Sequence, residues 1–331
     1  MTLDLVLLAA SLALLLFTAK YFVEGVSGIA TALGVPEIVI GMTVVAFGTS
    51  APELVVNTLS AARGETALAF GNIAGSCLLN VGFVLAITAI LRPLRVAPSI
   101  ITREIPMLIV ASLALLVLSH DRLLNQSVEA DSWGRSDGLI LLLLFSIFLY
   151  YTARDAVDAS ATTDPFLEEI QEDAERNRAT RPLWQLIAMT IAGLAGLSLG
   201  AQWTVEFAVH IALGLGVSQA VVGLTIVSLG TTLPELSTCI IAARRGNSDI
   251  ALGNIVGSNI LNLLGIGGIV SSIRAVPIPA GGHEDLLFLT VLTVVLLPIA
   301  IRSGRTITRG EGAVLLTAFT GYMGWRIAAS L

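Results

Sequence analysis

The chain has 331 residues, of which 55% are hydrophobic and only 13% are charged, and its mean hydropathy is +0.87. A soluble domain carries about a quarter of its residues as charges, so this composition excludes one and calls for a membrane protein. The net charge of −6 sits mostly in residues 154–181, which hold eight acids and four arginines, and it therefore points to no nucleic-acid partner.

Apolar runs of about 18 residues or longer, each enough to cross a bilayer as a helix, predict ten spans. In chain order they fall at 3–24, 36–62, 67–91, 104–120, 137–153, 183–203, 217–243, 249–273, 284–301 and 309–329. Strand-type alternation is absent, which disfavours a barrel. The first run lacks the positive flank of a signal peptide and continues for about a full span, so it reads as a membrane helix. Cys77 and Cys239 lie inside apolar helices and read as small packing residues rather than a disulfide.

Residues 44–53, Val-Val-Ala-Phe-Gly-Thr-Ser-Ala-Pro-Glu, recur at 226–235 as Ile-Val-Ser-Leu-Gly-Thr-Thr-Leu-Pro-Glu, an offset of 182. From Gly41 to Asn80, nineteen of forty positions are identical to Gly223 through Asn262. Such a repeat predicts two equivalent halves. Five spans per half is an odd number, so the second half enters the bilayer from the opposite side. The expected fold is an all-α membrane protein of ten transmembrane helices in two inverted five-helix repeats. Residues 1–153 form the first repeat, 154–182 an acidic link and 183–331 the second. Placing both termini outside puts thirteen of the eighteen basic residues on the cytoplasmic side, with Arg63, Arg122, Arg135, Arg274 and Arg326 outside, so the link is expected in the cytoplasm. Within the link, residues 164–173 open on Asp164-Pro165, a helix-start pattern followed by acids, which predicts a short surface helix. It lacks the Asp-x-Asp-x-Asp-Gly spacing of a calcium loop and reads as a solvated connector.

Glu53 and Glu235 are the chemical centre of the repeat. A carboxylate at membrane depth costs a few kcal/mol at least, and two at equivalent positions call for a function. Thr49 and Ser50 precede Glu53 by four and three residues, as Thr231 and Thr232 precede Glu235, so each set shares a helix face. Pro52 and Pro234 have no N–H for the residue four back, which is expected to free the Gly48 and Gly230 carbonyls and open the helix. The next helix of each half adds a polar stripe, Asn72, Ser76 and Asn80, repeated as Asn254, Ser258 and Asn262. Gly71 with Gly75 and Gly253 with Gly257 form small-xxx-small patterns suited to close helix packing. Asn72 and Asn254 can serve either as structural hydrogen-bond partners or as ion contacts. Carboxylates, hydroxyls, amides and carbonyls without a soft ligand suit a hard cation, and about six to eight oxygens suit Ca²⁺ better than Mg²⁺. His120, His210 and His283 lie outside the repeated core and no His-Glu-x-x-His occurs, which disfavours a zinc hydrolase or any enzyme.

The motifs Gly-Thr-Ser-Ala-Pro-Glu at 48–53 and Gly-Asn-Ile-Ala-Gly-Ser at 71–76, with Gly-Thr-Thr-Leu-Pro-Glu at 230–235 and Gly-Asn-Ile-Val-Gly-Ser-Asn at 253–259, closely resemble the alpha-repeats of the cation/Ca²⁺ antiporter superfamily. Among its branches the chain is most similar to the prokaryotic sodium/calcium exchangers, in which a Pro before each glutamate is typical. The resemblance implies a multi-pass cell-membrane antiporter that exchanges Ca²⁺ for Na⁺ by alternating access, with the inorganic cations and the lipid bilayer as its partners, no cofactor and no evident protein partner. It implies four ion sites in a diamond at mid-membrane. Glu53 and Glu235, with the Thr49 and Thr231 carbonyls, would hold Ca²⁺. Ser50, Ser258 and the Ala46 carbonyl would build one sodium site, and Thr232, Ser76 and the Ser228 carbonyl the other. Asn80 and Asn262 would form the middle site. Several relatives carry aspartate at the position of Asn262, as potassium-dependent exchangers do, so this amide pair argues against a potassium requirement. Cys77 stands where the second repeat has Asn259. The first and sixth helices are implied to slide across the others, with Gly25, Gly28, Gly34, Gly214 and Gly216 permitting the motion. Paired carboxylates also leave open proton/calcium exchange on the same fold.

Overall fold

The computed structural model describes residues 2–124, 130–161, 181–215, 228–302 and 304–330. The acidic surface helix expected at 164–173, and residues 217–227 of the seventh predicted span, lie outside the described residues, as do Gly216 and Gly223. The described elements are helices joined by short links. In order they are α1 (Thr2–Leu33), α2 (Glu37–Thr49), α3 (Ala51–Arg63), α4 (Thr66–Leu91), β1 (Leu94–Arg95), α5 (Ile100–Leu118), α6 (Asp121–Leu124) and β2 (Ser132–Trp133). They continue with α7 (Arg135–Ala161), α8 (Leu183–Gly214), α9 (Ser228–Thr231), α10 (Leu233–Arg245), α11 (Ser248–Ile273), β3 (Val276–Pro277), α12 (Gly282–Arg302), β4 (Thr306–Ile307) and α13 (Arg309–Ser330). Among the described residues seven helices are long and apolar enough to cross a membrane, and α2 with α3 makes an eighth if the bent pair is one span. The helix α13 is not in that group. It carries Arg309, Glu311 and Arg326, and Arg326 is held by Asp285 of α12 at 3.0 Å.

Several boundaries differ from the hydropathy reading. The first helix runs on to Leu33 instead of ending near residue 24, and α8 runs to Gly214 instead of 203. Polar residues such as Lys20, Glu24, Gln202 and Glu206 end an apolar window but do not end a helix, because they are good or neutral helix formers. The stops are backbone events. Gly34, at φ +64°, ends α1 ahead of Pro36, while Gly64 at φ +86° and Gly246 at φ +93° close α3 and α10 with left-handed caps.

The helices α4 and α11 form the centre: 78% and 89% of their spanning windows are buried, against 22–28% for α1, α7 and α8. Around them, α13 packs on the second half of α4, α12 on α5, α7 on the end of α11, and α2 lies against α11. The pair α1 and α8 runs side by side along most of its length. Glycine explains how closely. A Cβ on Gly25 would sit 2.8 Å from the Leu186 carbonyl, and one on Gly193 would sit 2.6 Å from the Phe22 nitrogen. Gly25 and Gly28 therefore serve the seam between α1 and α8 and not a sliding surface against the remaining helices. Gly34 and Gly214 meet no neighbouring atom among the described residues. Gly253 and Gly257 do pack tightly, against Gly41 and Met42 of α2, whereas Gly71 and Gly75 have no such contact among the described residues, so the packing role expected for the latter pair is not seen there.

Two short antiparallel ribbons tie the halves together at the helix ends. Leu94 pairs with Ile307 and Arg95 with Thr306, while Ser132 pairs with Pro277 and Trp133 with Val276. Several arginines make contacts near the helix ends. Arg92 donates to the Arg244 carbonyl, Arg245 pairs with Glu24 at 2.6 Å, and the Arg95 N–H reaches Ser248. Arg274 lies against Gly64, Arg135 donates to the Ser272 carbonyl, and Arg326 binds Asp285 and the Ala280 carbonyl. Both cysteines are buried and free.

Candidate ion site

The site is built where α2 and α3 meet. The chain breaks at Ser50 (φ −89°, ψ 7°), and the two helices diverge by 50°. Pro52 has no N–H to continue the ladder, and its ring crowds the preceding turn. The freed Gly48 carbonyl expected from the sequence is not left open: N–H groups at the break turn back to the Ala46 and Gly48 carbonyls, because the chain tightens into a shorter turn. The counterpart break falls at Thr232 (φ −91°, ψ −3°), whose N–H bonds the Leu229 carbonyl at 3.1 Å.

These breaks place Glu53 and Glu235 in the first turns of α3 and α10, where helix N-terminal N–H groups favour negative charge. Each glutamate is only 1% exposed. Ser50, three residues before Glu53, reaches Glu235, so the two halves share one site. Ser50 of the first half donates to Glu235 Oε1 at 3.1 Å, a charge-assisted contact across the repeat. Thr49 joins the halves again: its hydroxyl lies 3.1 Å from the Val45 carbonyl and 3.1 Å from Asn254 Oδ1.

The polar stripes of α4 and α11 line the same centre. The Ser76 hydroxyl donates to Asn72 Oδ1 at 3.3 Å and Ser258 to Asn254 Oδ1 at 3.4 Å, which directs the serine lone pairs away from those bonds. The Oδ1 atoms of Asn72 and Asn254 thus meet the hydroxyls of other candidate residues. Asn80 and Asn262 both sit in wide π-turns, Asn80–Val84 and Leu261–Ile266, which re-aim a side chain relative to a regular helix. The Ala46 carbonyl already accepts the Ser50 N–H at 3.0 Å and has one further lone pair to offer. Of the remaining candidates, Thr232 is buried and Thr231 half-buried, and Ser228 lies in α9, which packs on α4.

Seven buried side-chain oxygens among the described residues have no hydrogen-bond partner: Glu104 Oε2, away from the repeated motifs, Thr238 Oγ1 on α10, and five acceptors, Glu53 Oε2, Glu235 Oε2 and the Oδ1 atoms of Asn57, Asn80 and Asn262. A buried acceptor without a donor costs about 1–3 kcal/mol, more if charged, so a cluster of them calls for positive charge. No Lys or Arg side chain meets either glutamate among the described ion pairs. No group of three or more His, Cys, Asp or Glu side chains forms a metal centre among the described residues, so the oxygen set is two carboxylates with neutral groups. Asn57 was missed in the sequence because the repeat places Cys239 opposite it, although its position one turn after Glu53 was a usable signal. Thr238, three residues after Glu235 and also buried, was missed for the same reason, since its counterpart is Val56.

A membrane helix bundle with broken helices and paired acids at its centre has the anatomy of a secondary transporter, not of an enzyme. The comparison with known proteins places it more closely. The chain belongs to the sodium/calcium exchanger protein family, whose model matches residues 3–154 and 185–328. It is 31% identical to the inner membrane protein YrbG of Escherichia coli, covering 98% of this chain and 96% of that one. It is 29% identical to the sodium/calcium exchanger MaX1 of Methanosarcina acetivorans over 97% and 98% of the two chains. Among solved structures, the sodium-calcium exchanger NCX_Mj soaked with 10 mM Na⁺ and zero Ca²⁺ superposes with a TM-score of 0.81 at 29% identity, covering 98% of each chain.

Proposed function

We propose that this protein is a Ca²⁺/Na⁺ antiporter of the cell membrane, with Glu53 and Glu235 as the shared charge on which the two ions compete. The observation that carries this reading is the set of donor-less buried oxygens around two glutamates contributed by equivalent positions of the two halves. Ca²⁺ is held by the glutamates with the Thr49 and Thr231 carbonyls. Sodium occupies one lateral site at Ser50, Ser258 and the Ala46 carbonyl, and another at Thr232, Ser76 and the Ser228 carbonyl. Asn80 and Asn262 form the uncharged middle site. Binding either ion neutralises the carboxylates that attract the other, and exchange follows from that competition. With neither ion bound, two unpaired carboxylates in a low-dielectric interior oppose the change of access and block leak.

The same reading completes the fold as ten transmembrane helices in two inverted repeats, 1–153 and 183–331, with the 154–182 link in the cytoplasm and both termini outside. It is supported by the two ribbons, each of which pairs a strand of the first half with one of the second. The tightly joined α1 and α8 move as one body across the central helices to switch access. Calcium flux into proteoliposomes, with sodium, proton or potassium as the only opposing gradient, tests the proposal. Flux driven by sodium at clamped pH supports it, and flux driven only by protons replaces it with proton/calcium exchange.

A further inference from the structure

Asn80 and Asn262 stand at equivalent places, but their surroundings differ. Asn80 Nδ2 donates to Asn259 Oδ1 at 3.1 Å, and Asn259 is itself anchored by its Nδ2, which donates to the Cys77 carbonyl at 3.3 Å. Asn80 is 1% exposed and Asn259 fully buried. An amide has one donating end and one accepting end, so engaging the nitrogen decides where the oxygen points. The oxygen left over, Asn80 Oδ1, has no donor. Turning the amide over would set the two oxygens of Asn80 and Asn259 against each other and present N–H groups to the cations.

We infer that Asn259 is a positioning residue that holds the Asn80 amide oxygen toward the transported ions and thereby sets how firmly sodium is bound. The inference rests on the proposed ion exchange. Its counterpart in the first half is Cys77, whose thiol donates to the Asn259 carbonyl at 3.9 Å. A thiol cannot anchor an amide as a second amide does, and Asn80 has the Asn259 anchor where Cys77 stands in the other half, so Asn80 and Asn262 are not equivalent. Sodium feels this more than calcium. Both carboxylates act together on one Ca²⁺, whereas each singly charged Na⁺ draws less from them and leans more on neutral oxygens.

The test is sodium-driven calcium flux in proteoliposomes, with half-saturation measured separately for Na⁺ and Ca²⁺. Asn259→Leu keeps the volume but removes the acceptor. It should raise the sodium half-saturation about threefold to tenfold, the range one neutral hydrogen bond commands, while moving that of calcium less than about twofold. Asn259→Thr keeps an acceptor oxygen and should stay within about twofold of wild type for both ions. Unchanged sodium half-saturation in the Leu variant overturns the inference. So does an equal rise for both ions, which marks a packing role, or a Thr variant as impaired as the Leu one. If Asn259→Leu does not fold, Asn259→Ala, which also removes the acceptor, takes its place: a sodium-specific rise that the Thr variant avoids supports positioning, and an unchanged sodium half-saturation refutes it. Wild-type protein without sodium-driven flux removes the proposed function itself, an outcome distinct from any of these.

Discussion

Glu53→Gln and Glu235→Gln test the centre of the mechanism. Each replacement keeps the side-chain volume in a site that is 1% exposed and removes one unit of charge. Two unit charges about 4 Å apart at an effective dielectric of about 20 interact by about 4 kcal/mol, and a divalent ion doubles this to about 8. The relief of no longer burying a carboxylate offsets part of that loss. Even if half remains, about 4 kcal/mol corresponds to roughly a thousandfold in affinity, enough to remove transport at any practical calcium concentration. Folding should survive, because a neutral amide is easier to bury than an unpaired carboxylate, and Glu235→Gln still offers Ser50 an oxygen at the position of Oε1. The assay is calcium flux in proteoliposomes beside a thermal melt in detergent. Flux above about a tenth of wild type in either variant refutes the reasoning, provided the melt confirms a folded protein.

Ser50→Ala removes the hydroxyl that donates to Glu235 across the repeat; it should cost about 1.5–3 kcal/mol of ion binding, read as at least a tenfold rise in calcium half-saturation. Gly193→Ala places a Cβ 2.6 Å from the Phe22 nitrogen in the seam between α1 and α8, and a thermal melt should show a destabilisation of about 1–3 kcal/mol. Cysteine labelling should find the 154–182 link accessible from the cytoplasm and a residue near Asp131 accessible from outside; the reverse pattern overturns the orientation while leaving the repeat intact. Asn262→Asp adds a third buried carboxylate beside two others, so calcium flux should become more sensitive to acid and respond to added potassium, and curves identical to wild type would show that Asn262 does not face the ions.

Much of the molecule was legible in the chain because two of its signals are one-dimensional. Hydropathy over about twenty residues marks a helix that must satisfy its backbone internally, so the membrane class followed from composition and run length alone. The 182-residue offset singled out Glu53 and Glu235, since a charge in an apolar run is conspicuous and a second at the equivalent place is more so. Helix ends were read less well. Hydropathy responds to side chains, whereas α1 continues past Glu24 until Gly34 turns the backbone left-handed.

What only the tertiary structure decided are the contacts between the halves. The repeat aligns Ser50 with Thr232 and Asn80 with Asn262, but it carries no information that Ser50 reaches Glu235 or that Asn80 is turned by Asn259. It even hides Asn57 and Thr238, because a search for identity discards positions where the halves differ. The Gly48 carbonyl shows the same limit at short range, since proline fixes which N–H is missing but the local turn decides which carbonyl goes unpaired. A sequence repeat reports which residues are equivalent, and equivalence is not contact. Contact depends on how two helix breaks, two central helices and two π-turns converge in space, and the sequence encodes that convergence only through the packing of the whole chain.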